Sequence, residues 1–279
     1  MKRPAVLAIT GDHHVNSRLG LCPPEGCKLG DGEGSYHPPK ALLWSWGCWE
    51  SYWRDVRHTV AETRGVLECV YGGDTQDGPG HHGNVQQIAG DEETQAFLAT
   101  RVFSVPRACK PRRSFALIGT EAHTGPGGAS DSSLARHLGC DRDPETDSWA
   151  TYWLRLNRFG IRIDFRHAGR TGGRPWTVGG ISNLAAQVAL EHLNAGYPSP
   201  HLAFWFHAHK PADSLDTVPA CRAIICPSWQ LKTGYGHGKS AIAESIAPIG
   251  GLILVIEPNG AYTVTKKLYQ PALPAERAA

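Results

Sequence analysis

Five short apolar runs, each followed closely by a side chain able to hold a metal ion, constrain this chain more than any other feature. The runs are Val6-Leu7-Ala8-Ile9, Val66 to Tyr71, Phe115-Ala116-Leu117-Ile118, Ile161 to Phe165 and Leu202 to Phe206. Their length and their β-branched and aromatic content mark them as strands. After them come Gly11-Asp12-His13-His14, Gly73-Asp74-Thr75-Gln76-Asp77, Gly119-Thr120-Glu121-Ala122-His123, His167 and His207-Ala208-His209. Ligands of open α/β sheets gather beyond the carboxyl ends of the strands, so these distant segments are expected to meet in one crevice.

Helical periodicity fills the intervals. Trp46, Trp49, Trp53, Val56 and Val60 step by three and four residues and predict a core-facing helix, with Trp44 as the exception among the tryptophans. Ile181, Leu184, Ala185, Val188 and Ala189 predict another, with Ser182 or Asn183 available as its N-cap. Further helices are expected over 91–102 and 130–138. The last third reads as strands over 221–226, 252–257 and 261–268, the latter two joined through Pro258-Asn259-Gly260 as a hairpin. Residues 20–39 form a long loop rich in Gly and Pro, of a length suited to a lid or rim. The pattern predicts an α/β (α+β) fold, a two-sheet β-sandwich flanked by helices, with residues 1–270 as a single domain and 271–279 as a flexible tail.

A formal charge of +2 over 279 residues does not mark a nucleic-acid binder by electrostatics alone, although Arg107 to Arg113 is locally basic. Ala5 to Ile9 is too short for the apolar core of an export signal, and no run is long enough to span a membrane. With eight cysteines in a chain of this length, free thiols in a cytoplasmic protein are expected. Cys22/Cys27 and Cys221/Cys226 have a spacing sometimes used for zinc, but Cys226 lies in an apolar run, which favours ordinary packing.

The chemistry suggested by the strand ends is demanding. Two divalent cations roughly 3.5–4 Å apart need about three or four protein ligands each, a carboxylate between them and open positions for water and phosphate. Imidazole with carboxylate suits manganese, zinc or iron better than magnesium or calcium. Taken singly, any one of these histidines is more simply a packing or surface residue, and their joint occurrence after separate strands is what reverses that judgement. His13, His58, His137, His192 and His201 lack any such pattern and are read as packing or surface residues.

At these residues the sequence resembles the calcineurin-like metallophosphoesterase family, whose motifs run D-x-H, G-D-x-x-D, G-N-H-D/E, a lone His and G-H-x-H. The resemblance spans about residues 5 to 210 and implies that family's four-layer architecture and two divalent metal ions, manganese first with zinc or iron as alternatives. It implies that Asp12, His14 and His209 hold one ion, that His167 and His207 hold the other, and that Asp74 bridges them. Asp77 would stand behind the ligands and orient its neighbours.

The third motif departs from the family, leaving Thr120 and Glu121 as alternative ligands and placing His123 two residues late. The second motif lacks the Arg-Gly that often follows its last Asp, and Phe206 replaces the Gly before the final H-x-H. These departures fit a divergent branch, of the kind carried by phage or other mobile DNA, acting in the cytoplasm or a host's cytoplasm.

The implied activity is phosphodiester hydrolysis by a metal-bound hydroxide, with His123 as the acid for the leaving oxygen and nucleic acid or a nucleotide-like molecule as substrate. The alternatives are a phosphomonoesterase or protein phosphatase and a catalytically silent metal-binding scaffold. His81 and His82, in the loop after the second motif, and His237, in the segment 233–239, are candidate substrate contacts. Gly238-Lys239-Ser240 lacks the context of a phosphate-binding loop.

Overall fold

A computed structural model describes residues 2–30, 32, 34–78, 86–167, 180–233 and 246–272. The first apolar run becomes β1 (Ala5–Thr10), buried at every position because one of its faces meets helices and the other meets a second sheet. The long loop after it carries a small hairpin of β2 (Cys27–Lys28) with β3 (Ser35–Tyr36), and then enters α1 (Lys40–Thr63). The chain continues through β4 (Val66–Tyr71), α2 (Glu92–Ala108), β5 (Arg113–Ala116), the single turn α3 (Glu121–Thr124) and α4 (Ala129–Leu138). The hairpin β6 (Trp153–Arg158) and β7 (Ile161–Arg166) precedes α5 (Gly180–Asn194) and β8 (Leu202–Trp205). The last strands are β9 (Ala212–Asp213), β10 (Arg222–Ile225), β11 (Ile249–Ile256) and β12 (Tyr262–Tyr269).

Two five-stranded sheets result. The first has the order β12-β11-β1-β4-β5, with β1, β4 and β5 parallel, β11 antiparallel to β1 and β12 antiparallel to β11. The second has the order β6-β7-β8-β10-β9, with a parallel centre and antiparallel edges. Strand alternation divides the apolar side chains among three cores. Leu7, Ile9, Val70, Phe165, Phe204 and Leu254 fill the space between the sheets. Val6, Ala8, Cys69 and Ile253 face α1, α2 and α4, while Ala203, Trp205 and Ala223 face α5. The architecture is therefore four-layered, helix on sheet on sheet on helix.

Several boundaries differ from the sequence reading. The second helix runs to Ala108, past the expected 102, and it tolerates Pro106 because the carbonyl of Val102, four residues back, accepts instead from the indole Nε1 of Trp49 at 3.3 Å. Ser182 lies inside α5 and its hydroxyl pairs with Thr217 Oγ1 at 2.7 Å, so it does not cap the helix start. The eleventh strand begins at Ile249, through two glycines that hid it. A Cβ on Gly250 would lie 1.9 Å from the carbonyl oxygen of Lys267. All eight cysteines are free thiols. Among the described residues no helix is long and apolar enough to cross a membrane.

Candidate metal centre

The carboxyl ends of β1, β4, β5, β7 and β8 lie at one end of the sandwich. The loops after β1 and β4 run side by side, with Asp12 N donating to Gly73 O, His14 N to Asp74 O and Val15 N to Thr75 O, each at 3.0 Å. This pairing turns the side chains of Asp12, His14 and Asp74 toward a common space. Five residues of the site hold left-handed backbone: Asp12 (φ 51°), His14 (45°), Asp74 (47°), His207 (73°) and His209 (56°). Such a conformation costs a non-glycine residue on the order of 1–3 kcal/mol and persists where the surroundings enforce it, often at functional sites.

Three overlapping groups of potential ligand atoms result, each with its atoms within 4.8 Å of one another: Asp12, His14 and His209; His14, Asp74 and His123; and Asp74, His167 and His207. The Nε2 atoms of His14 and His209 face each other at 3.3 Å, and His209 Nε2 is 3.2 Å from Asp12 Oδ1. His167 Nε2 lies 2.9 Å from Asp74 Oδ2 and 3.9 Å from Asp12 Oδ1, and its Nδ1 donates to Gly72 O at 2.6 Å. His207 Nδ1 is 4.0 Å from the same Asp74 oxygen, and its backbone N–H donates to Asp12 Oδ2 at 3.0 Å.

The electrostatics of the site suit a cation. Asp12 and Asp74 are at most 1% exposed, and among the described residues histidines alone form ion pairs with them. Two buried carboxylates without lysine or arginine are costly unless positive charge is supplied. Burial opposes the charged form of Asp12, yet the neighbouring His209 and His167 bring its pKa to about 2. Burial likewise works against His167, and the charge and hydrogen bond of Asp74 overcome it and lift the imidazole to about 10. His14 is pushed down, chiefly by burial, toward the neutral form that ligates metals. Nitrogen and carboxylate donors converging on shared space, with their charge unbalanced, fit a borderline divalent cation.

Asp77 sits behind two of the imidazoles, 2.5 Å from His123 Nδ1 and 3.5 Å from His14 Nδ1. Burial opposes its ionisation, but the hydrogen bonds of His123 and His14 bring its pKa to about 2. Burial also disfavours His123 imidazolium, and the bond to Asp77 with the field of Asp74 outweighs it, raising the pKa. The two candidates of the third motif separate. Thr120 donates from its backbone N–H to Asp74 Oδ1 at 2.7 Å, and its hydroxyl lies 3.1 Å from Oδ2, whereas exposed Glu121 accepts from Gly127 N at 3.4 Å and joins none of the three groups. His81, His82 and His237 lie outside the described residues. His13 and His192 are buried packing residues, and His58 is an exposed partner of Glu62.

The sequence reading missed two supports of this site. Asn16 donates from Nδ2 to the carbonyls of Asp77 and Ala89, at 2.9 and 3.0 Å, and anchors the loop after β4. Asp131, in the first turn of α4, is buried and accepts from the backbone N–H groups of Asp74, Thr75 and Gly119. Burial, followed by the charge of Asp74, raises its pKa to about 6. One signal was present: Asp131, Leu134, Ala135 and Leu138 share a helix face, which places a carboxylate on the apolar side of the stripe.

No protein-family model and no curated protein matches the chain. Among solved structures, it is similar to Vps29 from Entamoeba histolytica, determined with zinc, at 10% identity and a TM-score of 0.37, over 94% of this chain and 97% of that one. It is also similar to the sulfate thiohydrolase SoxB of Thermus thermophilus, at 10% identity and a TM-score of 0.42, over 97% of this chain and 57% of that one. A predicted phosphoesterase from Streptococcus pneumoniae matches at 9% identity and a TM-score of 0.36, over 97% of this chain and 95% of that one. Likeness this distant does not decide activity; the side chains gathered around Asp12 and Asp74 bear on it directly.

Proposed function

We propose that this chain is a phosphoesterase of the calcineurin-like metallophosphoesterase type, that two divalent metal ions, manganese foremost, serve it, and that it hydrolyses phosphodiester bonds of nucleic acid or a nucleotide-like molecule. The observation that carries the reading is the overlap of the three groups: His14 belongs both to the group with Asp12 and His209 and to the group with Asp74, and Asp74 belongs also to the group with His167 and His207. One ion would be held by Asp12, His14 and His209, the other by His167 and His207, with Asp74 common to both. When bound, such ions acidify water and offset charge on phosphoryl oxygens. Residues 1–270 act as one catalytic domain in the cytoplasm, in keeping with eight free thiols.

The chain's own residues supply the rest. Asp77 holds the Nδ1 proton of His123 and thereby orients the ring, leaving Nε2 to give a proton to the departing oxygen. The raised pKa of His123 keeps that proton available near neutrality. Thr120 donates two hydrogen bonds to Asp74 and fixes its carboxylate plane. The diester preference is supported by Gly78-Pro79 after Asp77, where the family's phosphatases often carry Arg-Gly.

A catalytically silent scaffold is the second reading, favoured by the outward position of Glu121, which leaves the third motif without an anionic ligand. Both are tested by assaying bis-p-nitrophenyl phosphate beside p-nitrophenyl phosphate with manganese, zinc, magnesium or chelator, in wild type and His209→Ala. Manganese-dependent cleavage that prefers the diester and is lost in the variant is expected. Metal-loaded protein that cleaves neither ester would leave the scaffold reading standing.

A further inference from the structure

Asp131 contributes to none of the three groups of potential ligands, and it is 1% exposed. Among the described residues no lysine, arginine or histidine pairs with it, so its burial is offset by hydrogen bonds alone. Its Oδ2 accepts from Asp74 N at 3.2 Å and from Gly119 N at 2.8 Å, while Oδ1 accepts from Thr75 N at 3.0 Å and from the Thr75 hydroxyl. The donors come from two loops. Gly73 and Asp74 hold φ 85° and 47°, and in this turn the successive N–H groups of Asp74 and Thr75 both point at the one carboxylate. Gly119 belongs to the neighbouring loop after β5, which leads to Thr120 and His123.

Space between these loops is minimal. A Cβ on Gly119 would lie 2.1 Å from Asp74 Oδ1, and one on Gly73 would lie 2.8 Å from Gly119 N and from His167 Nδ1. A small shift of either loop would therefore displace the Asp74 carboxylate. We propose that Asp131 is a positioning residue for the metal centre: its single carboxylate clamps the loop bearing Asp74 to the loop bearing Thr120 and His123, and so sets where Asp74 stands between the two ion positions. This inference rests on the metal-centre reading above. Asparagine at 131 is nearly isosteric, but one of its two terminal atoms becomes a donor facing N–H groups.

The test uses the full chain, stripped with chelator and titrated with cobalt(II), following visible absorption well below the unfolding temperature of each variant. Wild type is expected to bind cobalt, and Asp131→Asn to bind it about 10–100-fold more weakly, with altered bands, as is usual when a group supporting metal ligands is lost. Thr75→Val removes one of the four donors and should weaken cobalt binding about fivefold, the worth of one hydrogen bond. An affinity and spectrum unchanged in folded Asp131→Asn, or in Thr75→Val should the former not fold, overturns the proposal. Wild type that takes up no cobalt overturns the metal-centre reading and this inference with it. Wild type that takes up cobalt but hydrolyses neither ester overturns the phosphoesterase reading alone, and the cobalt shift in the variants still decides the role of Asp131.

Discussion

Phe206 stands where the resembled family carries glycine, and the residues facing it show how this chain accommodates the ring. It is fully buried, and a Cβ would lie 2.4 Å from the ring at Gly11 and 2.3 Å at Gly72. Gly11 and Gly72 leave the space that the ring fills, and the strand ends stay closely packed beneath the site. His123 is held by Asp77 at Nδ1 and is partly open to solvent, which leaves its other nitrogen able to face a substrate. His123→Asn is expected to lower turnover of the diester by about two to four orders of magnitude with bound metal unchanged. Parallel rate measurement and elemental analysis check this, and loss of metal with the activity would make His123 a ligand instead. The ligand candidates were legible because each follows shortly after the end of a strand. For Asp131 the sequence offered only its place on an apolar helix face, not its partners, which are backbone N–H groups of other loops that no side-chain spacing encodes.

At the scale of elements, α1 shows what periodicity reveals and what it leaves open. Trp49, Trp53 and Val56 of the predicted stripe are fully buried, and Tyr52, absent from that stripe, is buried too, its hydroxyl donating to Leu252 O at 2.8 Å. Trp44 is 37% exposed, as its place off the stripe suggested. Removing a buried indole should cost about 3–5 kcal/mol, the usual range for such truncations, whereas Trp44→Ala should cost less than about 1 kcal/mol. Urea unfolding of Trp53→Ala beside Trp44→Ala measures the contrast, and equal losses would contradict the assigned helix face. The end of α2 was not legible for a related reason. Whether Pro106 stops a helix depends on what replaces its missing hydrogen bond, and the replacement, Trp49, lies on another helix.

The molecule as a whole depends on two sheets keeping their alignment, since β1, β4 and β5 deliver one half of the site and β7 and β8 the other. Ion pairs cross the sandwich on both flanks. Arg158 of β6 reaches Glu68 of β4 at 2.8 Å, and Asp213 of β9 takes Arg222 of β10 at 2.8 Å together with Lys266 of β12 at 2.7 Å. Asp213 therefore joins an edge of one sheet to an edge of the other. Burial would raise its pKa, but the hydrogen bonds from Arg222 and Lys266 dominate and bring it to about 2. The folded value lies below the unfolded value of about 3.9, so the stabilisation is complete above about pH 4 and disappears as pH falls through about 2. Discounted for the partial exposure of Lys266, it amounts to about 1–2 kcal/mol. Asp213→Asn should lower stability at pH 6 by about that amount, and the gap should close as wild type is taken toward pH 2. Chemical denaturation at a series of pH values reads it directly. A gap that stays constant down to pH 2 would mean that Asp213 acts through packing rather than charge, and the alignment of the two halves of the site would then rest on the apolar core between the sheets.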